Sequence, residues 1–325
     1  MDKTLDGLDH ANVELKEQLG EILAELKKNK SKIEKPFEML YLPSKGLFYE
    51  GGSPYLLVGY LSYVEENMLS SEMMIESGDA YLYVLERLIM DESFDVSKII
   101  TADVQAIALF LRAYAYGDSS DFKVKCTKCG MEDETKIRLS SLQMKEVTIT
   151  PDENKELPLM VEGVSLKIKV PNFQEEYRFY RGKPGNMDRT AFYIAEINGV
   201  RGKAGVLNEL RRLRVDIFRK IKSEIDSLLP GVDTKIKHAC PSCEHVNEVN
   251  IGNPIYFIQL PESYKNSMLE ELFILTYYGK NISLEDAKKM TVVERKWFIK
   301  RLTEEIEKQR TADREAMSKA KSKRG

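Results

Sequence analysis

Cysteine and histidine are scarce in this chain: four and three, respectively, in 325 residues, with a single tryptophan. Few side chains are therefore available for a nucleophile–base pair, and no Ser/His/Asp or Cys/His constellation can be assembled with conviction. Apolar runs are short. None approaches the roughly 18–20 residues that a membrane-crossing helix needs. Neither sign of charge dominates, since 31% of residues are charged but the net charge is only −3, so there is no global pull toward nucleic acid or a membrane surface. The opening Met1-Asp-Lys-Thr-Leu-Asp6 is charged and lacks the apolar stretch of a secretion signal, so a reducing cytoplasm is the expected site of synthesis. The 42% hydrophobic content suffices for the cores of two ordinary domains.

What the chain does hold is a pattern in its few cysteines. The first pair lies in Phe122-Lys-Val-Lys-Cys126-Thr-Lys-Cys129-Gly130, running on through Glu134-Thr-Lys-Ile-Arg-Leu139. The second lies in Asp233-Thr-Lys-Ile-Lys-His-Ala-Cys240-Pro-Ser-Cys243, running on through Asn247-Glu-Val-Asn-Ile251. In each, an alternating run enters Cys-x-x-Cys, a turn follows, and an alternating run returns. This predicts a β-hairpin with two thiols at its tip, a zinc knuckle. Cys126, Cys129, Cys240 and Cys243 together make the donor set of one tetrahedral structural Zn2+, which needs four thiolates at about 2.3 Å. Such a shell leaves no open position for substrate, so the expectation is a structural metal and no enzyme. A redox Cys-x-x-Cys belongs at a strand-to-helix junction, whereas both of these sit between strand-like runs. The flanking Lys125, Lys128, His238 and Glu244 are too polar for buried, unliganded thiols. His238 and His245 read as solvated neighbours of the second knuckle, with a role as extra ligands or as supports of the thiolates kept open. The paired acids Glu65-Glu66, Glu175-Glu176 and Glu304-Glu305 diverge on a helix and read as solvated faces or helix-start charges.

The remainder is read in order. Leu5, Leu8, Leu15, Leu19, Ile22, Leu26 and Ile33 recur at heptad-type steps, with Asn12 and Asn29 filling the same seam; Lys35-Pro36 ends that helix. The seam is expected to pack on its own chain or on a partner helix. Leu42-Pro-Ser-Lys-Gly46-Leu-Phe-Tyr49 is an apolar hook between turns, without the residue order of a phosphate loop. A strand over 55–63 and helices from Glu65, from Asp79 to Met90 and from a Thr101-Ala-Asp103 cap precede the first knuckle. The order then returns, at separations of 110 (Glu65 to Glu175), 109 (Asp79 to Asp188), 113 (Asp103 to Asp216) and 114 residues (Cys126 to Cys240). Asp188–Glu196 is expected to be helical, like Asp79–Glu86. Asn253–Ile258 reads as a strand, 267–278 as an apolar helix, and Ser283-Leu-Glu-Asp286 as a capping box. Thr291-Val-Val-Glu294 opens a last helix that is expected to fray into the basic tail Lys319-Ala-Lys-Ser-Lys-Arg324.

The expected fold is α+β and mostly helical: a duplicated unit of strand, helices and zinc-knuckle hairpin. It divides into an N-terminal amphipathic helix (1–36), a first repeat (37–147), a second repeat (148–260), and C-terminal helices with a basic tail (261–325).

Three stretches carry a family likeness: Leu42-Pro-Ser-Lys-Gly-Leu-Phe-Tyr49, Leu111-Arg-Ala-Tyr-Ala-Tyr-Gly117, and Met290-Thr-Val-Val-Glu-Arg295-Lys-Trp297-Phe-Ile299. With these the chain resembles the baseplate hub proteins of T-even-like contractile-tailed phages over most of residues 37–310. The resemblance implies a non-enzymatic structural or assembly role at the tail baseplate hub, with assembly in the host cytoplasm and retention in the virion baseplate as one outcome. The implied partners are other baseplate or tail proteins, engaged through the N-terminal helix; no small-molecule substrate is expected. The alternative is a zinc-ribbon nucleic-acid-binding protein, motivated by Lys123, Lys125, Lys128, Lys235 and Lys237 around the knuckles. The acidic total and the lack of an aromatic stacking strand speak against it.

Overall fold

The computed structural model describes residues 36–322, and the helix expected over 5–34 lies outside that range. β1 (Phe37–Tyr41) and β2 (Tyr55–Gly59) form an antiparallel hairpin, with Phe37 opposite Gly59. Its long loop contains the hook. Gly46 sits at φ +72, and a Cβ there would lie 2.3 Å from the Ser53 carbonyl oxygen, so only glycine closes this loop. There follow α1 (Tyr63–Leu69), α2 (Glu72–Ser77), α3 (Asp79–Leu88) and α4 (Thr101–Tyr116). α4 starts at Ile100, which supplies no side-chain cap. Asp103, expected to help cap this helix, instead turns into the core and fastens the hook. Ser44 N donates to its Oδ1 at 3.0 Å, and the Tyr49 hydroxyl donates to its Oδ2.

β3 (Ser119–Lys125) and β4 (Glu132–Arg138) form the first cysteine hairpin, followed by the short β5 (Met144–Lys145). A four-stranded antiparallel meander comes next: β6 (Glu156–Val161), β7 (Val164–Lys169), β8 (Ile194–Ile197) and β9 (Val200–Arg201). Between its strands and beyond them lie α5 (Phe173–Arg181), α6 (Asn186–Phe192), α7 (Lys203–Arg212) and α8 (Val215–Leu228). Helix does not run through Asp188–Glu196 as expected. It stops at Phe192, because Ile194 and Ile197 are drawn into the sheet and Asn198-Gly199, both at positive φ (50 and 81), make a tight hairpin turn to β9. β10 (Gly231–Val232) pairs with β5, and β11 (Lys235–Ala239) with β12 (Val246–Asn250) makes the second cysteine hairpin. All strand pairings among the described residues are antiparallel.

Two principal cores result. One gathers Leu42, Val58, Leu88 and Ile107 with Ile255 and Ile258; the other gathers Leu157, Ile168, Ile194, Ile221 and Ile225. Ile255 and Ile258 come from a stretch expected to be a strand. Residues Pro254–Ile258 form a 3-10 turn instead, because Pro254 has no N–H for a ladder and the Asn253 side chain accepts from Ile255 N at 3.1 Å. The turn carries Ile255 and Ile258 into the core built around Leu42, Val58, Leu88 and Ile107.

The chain closes with α9 (Tyr264–Tyr278), α10 (Leu284–Lys289) and α11 (Val292–Ser322). Thr291 and Glu294 cap α11 reciprocally, and the helix continues to Ser322, into the segment expected to fray. Val292 N donates to Leu61 O at 2.9 Å, which seats the start of α11 beside the end of β2. Here the reading of Glu65 and Glu66 as solvated is overturned: both are fully buried. Arg295, also fully buried, donates to Glu66 and, at 3.1 Å, to Glu271, while Tyr116 Oη donates to Glu66 at 2.6 Å. Glu65 accepts from Ser62 N at 2.9 Å and Arg87 Nε at 2.7 Å. Glu176, on α5, is half-buried and accepts from the hydroxyls of Thr101 and Tyr193. Local sequence placed these acids at helix starts; it could not show which distant cation and hydroxyls come to meet them.

Candidate metal centre

Both cysteine hairpins share a small core with Leu109 of α4. Val124 and Ile137 turn inward on the first; Ile137 joins Leu109, Val232 and Ile251 in a small core against which Phe122, Ile236 and Phe257 pack. The alternating pattern thus does two things: its apolar side anchors each ribbon, and its register aims the thiols at the far end.

The two tips repeat one geometry. Cys126 N donates to Met131 O at 2.8 Å and Gly130 N to Cys126 O at 3.0 Å; in the second hairpin Cys240 N donates to His245 O at 2.9 Å and Glu244 N to Cys240 O at 2.9 Å. The residue after the second cysteine is left-handed in both, Gly130 at φ 75 and Glu244 at φ 57. Each tip presents two sulfurs, and the tips face each other. Cys126 Sγ lies 3.7 Å from Cys243 Sγ, and Cys129 Sγ lies 3.6 Å from Cys240 Sγ. All four donor atoms fall within 4.8 Å of one another. Four sulfurs at about 2.3 Å around one tetrahedral ion would be about 3.8 Å apart, so the set fits a single metal ion. The sulfur–sulfur gaps are far beyond the roughly 2.05 Å of a disulfide.

Polar groups tie the tips together. Asn247, buried on β12, accepts from Thr127 N at 2.9 Å and Thr127 Oγ1 at 3.0 Å, and its Nδ2 donates to His245 O at 3.2 Å. His245 Nε2 sits 3.2 Å from Thr127 Oγ1. His238, expected to be solvated, is mostly covered. Its Nε2 lies 3.0 Å from Asp133 Oδ2 on the other hairpin, off the hydrogen-bonding direction. Neither histidine joins the thiol cluster. Sequence reasoning missed Asn247 because the alternation misleads there: the apolar Val246 is exposed while the polar Asn247 is buried.

The thiols titrate unevenly. The amides of Cys129, then Lys128, and the Asn247 side chain hold Cys126 down at about 5, so a thiolate is favoured there. For Cys129 the Met131 amide pulls the same way, yet the neighbouring thiols of Cys243, Cys240 and Cys126, together with burial, push it up to about 11. Four ionised sulfurs this close require a compensating positive charge, which a divalent ion supplies. Four of the surrounding lysines face carboxylates across the strands: Lys123–Glu134 at 3.6 Å, Lys125–Glu132 at 3.3 Å, Lys136–Asp121 at 3.9 Å and Lys235–Glu248 at 3.1 Å.

Fold and site together define a protein in which two cysteine hairpins meet tip to tip at a four-thiol cluster. The family model described as T4 bacteriophage base plate protein matches residues 64–259, a span that contains both hairpins and all four cysteines. The chain belongs to this T4 phage base plate family. Of the three stretches that carry the hub likeness, residues 111–117 fall inside the match, while the hook and 290–299 fall outside it. No curated protein and no solved structure matches the chain. No helix among the described residues is long and apolar enough to cross a membrane.

Proposed function

We propose that this base plate protein is a non-enzymatic structural or assembly component of the baseplate hub of a contractile phage tail, in which one Zn2+ shared by Cys126, Cys129, Cys240 and Cys243 staples two copies of one unit. The observation that carries the reading is the convergence of two like hairpins from distant parts of the chain on one four-sulfur shell. The ion's contribution is charge and cross-linking; the residues position and deprotonate themselves around it. Structural zinc contributes on the order of 10 kcal/mol or more to the folded arrangement, comparable with a whole domain's roughly 5–15 kcal/mol.

The duplication is supported beyond the cysteines. Ser62 and Asn172 cap α1 and α5 from equivalent places, and four residues on, the buried Glu66 and the half-buried Glu176 both accept from a tyrosine hydroxyl, Tyr116 and Tyr193. On this reading the repeats are 37–147 and 148–260, and 261–325 is a C-terminal addition seated on the first. The chain assembles in the host cytoplasm and takes its place among other baseplate proteins of the virion tail. The nucleic-acid alternative is disfavoured by the lysine–carboxylate pairs across both hairpins, which engage charges that phosphate binding would need. Mass spectrometry of purified tails tests the proposal: the chain at a fixed stoichiometry to the sheath protein supports a structural component, recovery only in unfinished assembly intermediates supports an assembly factor, and recovery in neither contradicts both.

A further inference from the structure

Two carboxylates at matching places in the chain are met differently. The caps of α1 and α5 each lie against the start of another helix: Ser62 bridges Thr291, before α11, and Asn172 bridges Ile100, before α4. At the first junction α11 inserts Arg295 against Glu66, and Tyr116 Oη donates to the same carboxylate. At the second, α4 offers Glu176 only the Thr101 hydroxyl, and Tyr193 supplies another. Burial, against those two hydrogen bonds, holds the Glu176 carboxyl above the usual range, and no cation among the described residues pulls it down.

The second junction has an opening beside that carboxylate. A cavity of about 390 Å³ borders Glu176 among α4, α5 and the 254–258 turn, within the roughly 300–1,000 Å³ of ligand sites. Phe173, Tyr177, Tyr180 and Tyr256 line it, and it opens to solvent beside the exposed Tyr180 and Tyr256. Aromatic faces attract cations. Arg181, the cation in its wall, faces Glu76 at 3.8 Å rather than Glu176. An uncompensated carboxylate among tyrosines selects a guanidinium, which stays charged, stacks on rings and donates in pairs to a carboxylate. An ammonium is more strongly hydrated and loses more on entering such a site.

We propose that this cavity receives an arginine side chain of a neighbouring protein, whose guanidinium pairs with Glu176 among the tyrosines. The parallel with Arg295 and Glu66 rests on the equivalence of α1 and α5 argued above; the cavity and its carboxylate do not. Titration of the full-length protein with N-acetyl-arginine amide, read by NMR of isotope-labelled tyrosine rings, tests this. The signals of Tyr177, Tyr180 and Tyr256 shift saturably, and N-acetyl-citrulline amide, similar in shape but uncharged, binds at least about tenfold more weakly. Glu176→Gln weakens the arginine probe by a similar factor with zinc content unchanged, and Tyr256→Ala, at an exposed ring, weakens it as well. No saturable shift, equal binding of the citrulline probe, or indifference to both substitutions would overturn the proposal. Such a failure leaves the zinc staple and the base plate role standing, because metal content and the composition of purified tails read those separately.

Discussion

Asn247 and Thr127, from opposite hairpins, are joined by two hydrogen bonds to one oxygen: the Thr127 amide at 2.9 Å and its hydroxyl at 3.0 Å both donate to Asn247 Oδ1. Thr127 lies between the cysteines of the first tip, so this contact sets the angle at which one pair of sulfurs meets the other. Asn247→Ala removes the partner of the exposed Thr127 amide at a cost of about 0.5–1.5 kcal/mol. Metal affinity, measured by competition with a chelator, should fall about 10–100-fold, as it does when the support of a metal ligand is removed. Unchanged affinity would show that the tips are aligned by their sulfurs alone.

The left-handed residue after each knuckle gives a second prediction. Glu244 occupies, at φ 57, the place that Gly130 holds at φ 75 in the first tip. A non-glycine residue there is strained by about 1 kcal/mol. Glu244→Gly should therefore raise the urea midpoint slightly or leave it unchanged, whereas Gly130→Ala should lower it by about 1 kcal/mol of stability. The reverse order would refute the equivalence of the two tips.

Arg295 is the third subject. With Glu66 and Glu271 around it and no exposure, its removal strands a buried carboxylate. Arg295→Ala should cost about 3–5 kcal/mol, while Glu66→Gln combined with Arg295→Met should recover a substantial part. Denaturation of the three proteins decides the matter; equal losses in the single and double variants would mean that the ion pair does not set the cost.

Asp103 predicts a pH dependence. Burial pushes its carboxyl from 3.8 up to about 6, against the hydrogen bonds from Ser44 and Tyr49. Between those values the folded chain keeps a proton that the unfolded chain has released, so its contribution to stability is full below about pH 4 and is lost as pH rises through about 6. The change is on the order of 2–3 kcal/mol. Asp103→Asn should remove this part of the slope, measured as the wild-type-minus-variant difference, which cancels effects shared by both proteins. A difference that does not vary between pH 4 and 6 would contradict it.

Much of the site was legible because its information is local: Cys-x-x-Cys between alternating runs names a hairpin tip, and two such tips supply the four sulfurs that cluster. The helix start marked by the capping residue Ser283 was legible too, whereas the strand read over 55–63 ran past the cap that Ser62 makes for α1. What was not legible depends on distant partners. Glu66 looks like any acid at a helix start until Arg295, 229 residues away, arrives to neutralise it. Asp103 looks like a cap until the hook folds over it. Asn253–Ile258 alternates enough for a strand, but a proline and a capping asparagine decide for a turn. At β8 the Asn198-Gly199 signal was present in the sequence, and the apolar run before it was weighed as helix instead.

The account stands on one shared ion, and metal content tests it most directly. Elemental analysis of the purified chain should find about one zinc per chain, the complement of a four-thiolate shell. Cys126→Ser and Cys240→Ser should each strip the metal from both hairpins alike and open the polar stretch near 148–156 to protease. Two zinc ions per chain, or a Cys240→Ser protein that keeps its full zinc, would contradict the shared staple.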